Sequence, residues 1–153
     1  MKARVLLVFT MLMVWTLFLI WCKKSQEVTT CTLNLSPEDW TNVESIYKIT
    51  HNWKYVDLVE TIETVKSNNK EVLDYYKSIV ESSYEPFKNL EYYDYKVETT
   101  NDTLVSETTI NYSKIDIDKF IKINPASSNF INNGKVSLDS LKTIYGLIGA
   151  KCE

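Results

Sequence analysis

Glycine, proline and histidine are scarce in this sequence. The 153 residues include 3 Gly, 3 Pro and a single histidine, His51. No phosphate-binding glycine-rich loop, Gly-x-Ser-x-Gly elbow or His-Glu-x-x-His motif occurs in the chain. A Cys-x-x-Cys pair and an EF-hand spacing are also missing. We therefore predict no metal, no cofactor and no catalytic residues, and we expect that the protein is not an enzyme.

Basic residues are outnumbered by acidic ones. Lys and Arg total 17, Asp and Glu total 20, and the formal net charge is −3 at pH 7. All the acidic residues follow residue 24, so the rest of the chain is more acidic than the whole. Because cations that neutralise phosphates dominate nucleic-acid affinity, we predict no nucleic-acid partner.

The first part of the chain is strongly apolar. The run Val5–Cys22 contains no charged side chain and is flanked on both sides by basic residues. A helix of roughly 20 apolar residues spans a hydrocarbon core of about 30 Å. We therefore predict that residues 1–24 are a transmembrane signal anchor, with the membrane as the partner of residues 5–22.

Two fates of this segment stay open. Signal peptidase needs small residues just before its cut, whereas Leu19, Ile20 and Trp21 stand there, so ordinary cleavage is not expected. Cys22 stands where a bacterial lipoprotein signal has its acylated cysteine, although Trp21 replaces the small residue of a lipobox. The alternatives are an uncleaved anchor and a lipidated Cys22.

Two cysteines bracket the remainder of the chain. Cys31 begins it and Cys152 is one residue from its end. Because the termini of compact domains often lie close together, we predict a disulfide between them, with two unpaired buried thiols as the alternative. A disulfide requires an oxidising compartment. We therefore expect residues 31–153 to form an extracytoplasmic domain on the cell membrane, joined to the anchor by a polar tether at 25–30.

Periodicity predicts the element order strand, strand, strand, helix, strand, strand, short helix, helix. The strands are predicted at 31–35, 42–50, 53–66, 92–100 and 103–113, with turns at 51–52 and 101–102. The helices are predicted to be capped by Asn68, Asp116 and Ser137. This order predicts an α+β fold, a two-layer domain in which an antiparallel sheet of about five strands is packed by one long and one or two shorter helices.

Tyrosines provide the main candidate for a binding surface. Tyr75, Tyr92, Tyr93 and Tyr95 fall within one predicted helix and the next strand, where rigid tyrosines can stack on sugars or contact a protein. The alternative is that about half of these rings belong to the core and the others are surface residues of a strand.

Paired carboxylates provide a weaker candidate. Glu60 with Glu63, and Asp116 with Asp118, have the chemistry for acid–base catalysis. Most such pairs are solvated surface residues or helix caps. They nevertheless define an alternative function, a membrane-anchored extracytoplasmic hydrolase that uses surface carboxylates.

Several short segments carry a family resemblance. They are residues 47–50 (YKIT), 109–116 (TINYSKID), 118–120 (DKF) and 137–150. Over most of 42–150 the chain resembles the YehR-like bacterial lipoproteins, a small family of extracytoplasmic domains without an assigned activity. The resemblance implies the fold and no chemistry.

Together these features predict a membrane-tethered extracytoplasmic binding or envelope-associated module. Its expected partners are the membrane and an envelope protein or polysaccharide. A pilin-like subunit is disfavoured because the apolar run lacks the glutamate that pilins carry near its start.

Overall fold

A six-stranded antiparallel sheet forms one layer of the protein. The computed structural model describes residues 26–38 and 41–153, so the predicted anchor (residues 1–24) and Cys22 lie outside the described residues. The strands of the sheet, in spatial order, are β4 (Tyr93–Thr99), β5 (Thr103–Asn111), β3 (Tyr55–Ser67), β2 (Thr41–Asn52), β1 (Glu27–Glu38) and β8 (Lys151–Cys152). A separate two-stranded ribbon consists of β6 (Ile131–Asn132) and β7 (Lys135–Val136).

Helices cover one face of this sheet. Within the described residues they are α1 (Lys70–Tyr84), α2 (Ile117–Ile123) and α3 (Leu138–Leu147). No helix in this part of the chain has the length and apolar character needed to cross a membrane. The architecture is α+β with two layers, as the sequence predicted.

The helix starts follow from side-chain caps. Asp116 Oδ1 accepts a hydrogen bond from the Lys119 amide, and Ser137 Oγ accepts one from Ser140, as predicted. The cap of α1 differs by one residue from the prediction: the Oδ1 of Asn69, not of Asn68, accepts from the Glu71 amide at 2.9 Å. An N-cap side chain can accept from the amide two or three residues later, and sequence spacing alone does not distinguish these two arrangements.

The sheet has one strand more than expected. The sixth strand, β8, contains only Lys151 and Cys152, too few residues to show a period in the sequence. The first strand is also longer than predicted, because β1 begins at Glu27 and pairs along its length with β2. Residues 27–30, predicted as part of the tether, are therefore strand.

The turn between β2 and β3 lies two residues later than predicted. Asn52 pairs with Tyr55, and the turn residues are Trp53 and Lys54, with Trp53 rather than Asn52 at positive φ (57°). His51, predicted as a turn residue, is instead buried in β2, where its Nε2 lies 3.0 Å from Thr29 Oγ1. A register shift between Thr50 and His51 accommodates the longer strand.

A disulfide joins the two ends of the domain. Cys31 on β1 lies opposite Cys152 on β8, and their sulfurs are bonded across 121 residues of chain. Beside this bond, the backbones of Thr30 and Glu153 exchange hydrogen bonds of 3.0 and 2.8 Å. The pairing predicted from the sequence is present.

The space between sheet and helices contains two separate hydrophobic clusters. The larger one includes Cys31, Ile49, Val59, Tyr93, Phe120 and Leu141. The smaller one consists of Val43, Val65, Leu73, Val80 and Leu104. The smaller cluster contains residues of β2, β3 and β5. Both clusters lie on the same face of the sheet, so they are separated from each other along the direction of the strands.

Candidate functional site

Polar side chains occupy the sheet face between the two hydrophobic clusters. They are Ser45 on β2, Thr61 and Glu63 on β3, and Ser106 and Thr108 on β5, and we call them the polar seam. They face the helix layer because their alternation along the strands matches that of the core residues on either side. An apolar residue at these places would join the two clusters into one core.

Strand register aligns the seam in two rows. In the first row Glu63 pairs with Ser45 on one side and Ser106 on the other. In the second row Thr61 lies between Tyr47 and Thr108, and Thr108 pairs in turn with Tyr95. Residues paired across neighbouring strands have side chains about 5 Å apart, so the seam forms one continuous surface.

Glu63 is the charged group of the seam. Its Oε2 accepts a hydrogen bond of 3.2 Å from Ser45 Oγ. Glu63 and Thr61 are partly exposed, whereas Ser45, Ser106 and Thr108 are buried. The carboxylate is therefore reachable from solvent while the hydroxyls beside it are shielded.

Two hydroxyls of the seam have no hydrogen-bond partner among the described residues. Ser106 is 1% exposed and Thr108 is 6% exposed, and among the described residues no group forms a hydrogen bond with Ser106 Oγ or Thr108 Oγ1. A buried hydroxyl without a partner costs about 1–3 kcal/mol. Buried polar groups without a partner are typical of functional sites, where a protein is less stable than it could be.

Tyrosines border the second row at both ends. Tyr145 of α3 stacks on Tyr47 with a centroid separation of 4.2 Å, and Tyr84 of α1 lies 5.0 Å from Tyr95. The two helices therefore contact the ends of the row through aromatic rings. Thr61 and Glu63, between these contacts, remain partly exposed.

The pKa of Tyr47 is shifted by burial and by the nearby Glu63 carboxylate. Burial raises the pKa of the Tyr47 phenol above its usual value, and the negative charge of Glu63 raises it further. A hydrogen bond with Ser45 acts in the opposite direction. The phenol is therefore neutral at physiological pH and keeps its proton as a hydrogen-bond donor.

The predicted tyrosine surface is only partly present. Tyr93 is 8% exposed and stacks on Phe87 at 4.5 Å, so it is a core residue and does not belong to an exposed face. Tyr95 is partly buried and borders the polar seam. Sequence periodicity placed both rings correctly on one side of β4 but does not reveal that the helices cover that side.

Tyr75 and Tyr92 are exposed, at different places. Tyr75 lies on α1 and makes an edge contact with Tyr76, whereas Tyr92 precedes β4 at positive φ (66°) with Lys114 Nζ 5.6 Å from its ring centroid. Each ring therefore has its own surroundings. The four tyrosines do not form one surface.

The two predicted carboxylate pairs have different surroundings. Glu60 pairs with Lys48 and Thr109 on the face of the sheet away from the helices, whereas Glu63 faces the seam. Asp116 caps α2 and forms an ion pair of 3.2 Å with Lys119. The pKa of Asp116 is lowered, mainly because its carboxylate accepts a hydrogen bond from the Lys119 amide. Within the described residues, no three His, Cys, Asp or Glu side chains are placed to hold a metal ion.

The sequence contains a signal for the polar seam, although strand periodicity alone does not reveal it. Each seam residue stands on the core-facing side of its strand, and the seam residues of each strand are bounded two residues away by apolar core positions such as Val59 and Val65 on β3. Polar residues at core-facing positions of three strands indicate a shared site only when the register of the strands is known, because the register decides which of these residues are neighbours. That register is a tertiary property.

The fold is similar to two structures solved by NMR. The YehR protein of E. coli is 16% identical, with a TM-score of 0.56 over 85% of this chain and 92% of that chain. A protein from Streptococcus pneumoniae TIGR4 is 14% identical, with a TM-score of 0.53 over 86% of this chain and 87% of that chain. The chain therefore has a YehR-like fold, which confirms the resemblance. No family model and no curated protein sequence matches the chain.

Proposed function

We propose that this protein is a membrane-tethered extracytoplasmic binding domain, and that its polar seam holds a hydroxyl-rich ligand such as a segment of envelope polysaccharide. The observation that carries the proposal is the partly exposed Glu63 carboxylate, flanked by Ser45 and Ser106. A carboxylate beside hydroxyls that can donate or accept fits a ligand with many hydroxyl groups. The neighbouring tyrosines supply rings of the kind on which sugars stack.

The tether and the compartment are supported by the sequence and the disulfide. The uncharged run Val5–Cys22 ends four residues before Gln26, where the described structure begins. The disulfide between Cys31 and Cys152 favours an oxidising location, because cytosolic thiols are kept reduced. An uncleaved anchor and a lipidated Cys22 would both hold the domain on the outer side of the cell membrane.

The hydrolase alternative receives less support from the geometry. Glu60 and Glu63 lie on opposite faces of the sheet and cannot act on one substrate. Asp116 is engaged as a helix cap. Binding therefore accounts for the seam better than catalysis by carboxylate pairs.

Ligand binding is tested with soluble oligosaccharides released from the cell wall of the source organism, titrated into the purified protein by calorimetry. We expect Glu63→Gln to weaken binding by about tenfold or more, because hydrogen bonds to a charged group contribute about 1.5–3 kcal/mol. Glu60→Gln is the matched control, since it removes the same charge from the same strand on the opposite face. No binding by the wild-type protein, or equal loss in both variants, would contradict a site at the seam.

The tether is tested separately by mass spectrometry of the native protein and by extraction of membranes with alkaline carbonate. Retention in the membrane with an intact Met1 supports an anchor, and diacylglycerol on Cys22 supports a lipoprotein. A chain released from the membrane by carbonate, or a free thiol at Cys31 and Cys152 in freshly alkylated cells, would contradict the proposed location.

A further inference from the structure

The end of the sheet nearest the predicted anchor carries an exposed aromatic and basic tip. Glu27, the first residue of β1, pairs with His51, and Gln26 Nε2 lies 3.4 Å from Asp57 Oδ2. The chain therefore enters the domain beside the β2–β3 turn. Only Lys23, Lys24 and Ser25 separate the apolar run from Gln26, a distance of at most about 14 Å even when fully extended.

The tip consists of Trp53, Lys54, Tyr55 and Lys135, which we call the hairpin tip. Trp53 is 77% exposed and Tyr55 is 38% exposed. Lys135 of the β6–β7 ribbon extends its Nζ to 5.1 Å from the centroid of the Tyr55 ring. The Lys54 carbonyl accepts a hydrogen bond of 2.9 Å from the Leu138 amide, which fixes the turn against the start of α3.

The hairpin tip differs in charge from the domain around it. The turns at 52–55 and 132–136 contain lysine and no acidic residue, whereas the nearest acidic residues, Glu27 and Asp57, lie on the strands beside the β2–β3 turn. Trp53 also holds a positive φ (57°), a conformation that is uncommon for a bulky residue and that marks functional positions more often than chance. Its side chain is nevertheless largely exposed to solvent.

We propose that the hairpin tip docks onto the surface of the bilayer to which the chain is tethered, with Trp53 and Tyr55 in the interfacial region and Lys54 and Lys135 beside lipid phosphates. Trp and Tyr concentrate at membrane interfaces because they combine an apolar ring with a polar group, and lysines near the surface are attracted to anionic lipid. The proposal rests on the proposed tether. It holds for an uncleaved anchor and for a lipidated Cys22 alike, because either places Gln26 close to the bilayer.

Docking at this end would set the orientation of the whole domain. The turn at Asn101–Asp102 lies at the opposite end of the sheet, where the Asp102 carbonyl accepts from the Ser67 amide at the end of β3. The 13 residues of β3 span about 40 Å at roughly 3.3 Å per residue. Glu63 would then stand roughly 25 Å from the hairpin tip, away from the lipid and accessible to the envelope.

The test measures tryptophan quenching in the full-length protein reconstituted into vesicles of phosphatidylcholine and phosphatidylglycerol, with bromine near the glycerol end of the acyl chains. Trp15, Trp21 and Trp40 are replaced by Phe, which leaves Trp53 as the sole tryptophan. We expect its emission to fall by about half or more relative to unbrominated vesicles, because interfacial rings lie at headgroup level. The matched control carries Trp53→Asn with Asn101→Trp in the same background, and its emission should not change.

The outcomes separate this proposal from the tether. Retention after carbonate extraction with Trp53 unquenched, or with both positions quenched equally, overturns the docking while the tether stands. Release from the membrane overturns both. Should the variants fail to fold, amine acetylation of the wild-type proteoliposomes decides: Lys66 at the far end should react several-fold faster than Lys54 and Lys135, and equal rates overturn the docking.

Discussion

Ser45 and Ser106 flank Glu63 on neighbouring strands, but only Ser45 has a hydrogen-bond partner in the described protein. Ser45 Oγ donates to the Glu63 carboxylate, whereas Ser106 Oγ, at 1% exposure, has no partner within residues 26–38 and 41–153. Two residues of the same type at the same depth therefore make opposite contributions to stability. The difference lies in the side chains around them and not in their burial.

Ser106→Ala is expected to raise the free energy of unfolding by up to about 1 kcal/mol, because it removes a buried hydroxyl that forms no hydrogen bond with any described residue. Ser45→Ala, the matched control, should lower it by about 1–2 kcal/mol, because it removes a hydrogen bond to a charged group. Guanidinium denaturation of both variants measures these differences. A loss of stability in Ser106→Ala equal to that in Ser45→Ala would show that the hydroxyl has a bound partner.

Helix ends show how individual elements are specified. The α1 cap is Asn69, and α3 ends with Gly149 at a φ of +93°. The Ala150 amide bonds to the Tyr145 carbonyl and the Gly149 amide to the Gly146 carbonyl, the pair of bonds of a Schellman motif. Both ends therefore satisfy backbone groups that the helix itself leaves unpaired.

Adjacent asparagines allow a test of the α1 cap. Asn69→Ala should lower the free energy of unfolding by about 1 kcal/mol, because the Glu71 amide loses its acceptor. Asn68→Ala should have little effect, since Asn68 is exposed and precedes the cap. Thermal unfolding followed by circular dichroism compares the two. A larger effect at Asn68 would contradict the observed start of the helix.

Two glycines test the end of α3. Gly149→Ala should destabilise the protein by about 1–2 kcal/mol, because an alanine at positive φ places its Cβ against the backbone. Gly146→Ala should raise the free energy of unfolding by up to about 1 kcal/mol, since Gly146 lies within the helix and a Cβ there has open space around it. Chemical denaturation measures both, and the same sign of change in both variants would rule out the Schellman ending.

At the scale of the whole molecule, the disulfide and the buried tyrosines hold the sheet and helix layers in place. The disulfide connects the first and last strands of the sheet across 121 residues of chain. Tyr47 on the sheet and Tyr145 on α3 stack at 4.2 Å, and Tyr93 and Tyr112 pack with Phe120 of α2. Conditions that change either the disulfide or the phenols should therefore change global stability.

Reduction of the disulfide should lower the free energy of unfolding by about 4 kcal/mol, because the unfolded chain regains the entropy of a loop of more than a hundred residues. Urea unfolding with and without a phosphine reductant measures the change. The double variant Cys31→Ala with Cys152→Ala should behave like the reduced protein and no longer respond to reductant. Equal stability of the oxidised and reduced proteins would contradict the expected contribution.

Stability should fall above about pH 10, the ordinary pKa of tyrosine. Burial is the main cause that raises the pKa of Tyr47, Tyr93, Tyr112 and Tyr145 in the folded protein. Above pH 10 the phenols ionise in the unfolded chain but stay neutral when folded, so their contribution is present below that pH and is lost as the pH rises further.

The slope of this loss is about 1.4 kcal/mol per pH unit for each such tyrosine. Tyr145→Phe should reduce the slope by about that amount, whereas Tyr75→Phe should leave it unchanged, because the Tyr75 ring is 63% exposed. Guanidinium unfolding at about pH 11 and about pH 12 measures the slope, because both values lie above the ordinary pKa of tyrosine. Equal slopes in the two variants would contradict a role for the buried phenol.

Local patterns accounted for most of the elements and for little of the site. Asp116 and Ser137 were correct as helix caps because a cap depends on residues within one turn. Periodicity predicts Tyr93 on a binding face although it is buried, because its exposure depends on contacts with α1 and α2, which are separate from β4 in the sequence. Local patterns therefore identify strands and helices but not which face the helices cover.

The amino-acid sequence by itself determined the α+β class and the order of the main strands and helices, because periodicity and capping are properties of the linear chain. It also predicted the pairing of Cys31 with Cys152, because these two cysteines bracket the part of the chain that follows the apolar run. Only the tertiary structure decided that Glu63 lies between Ser45 and Ser106 while Glu60 faces the other way, and that Trp53 stands beside the point where the chain enters the domain. The physical reason is that register, and which face the helices cover, depend on contacts between residues far apart in sequence.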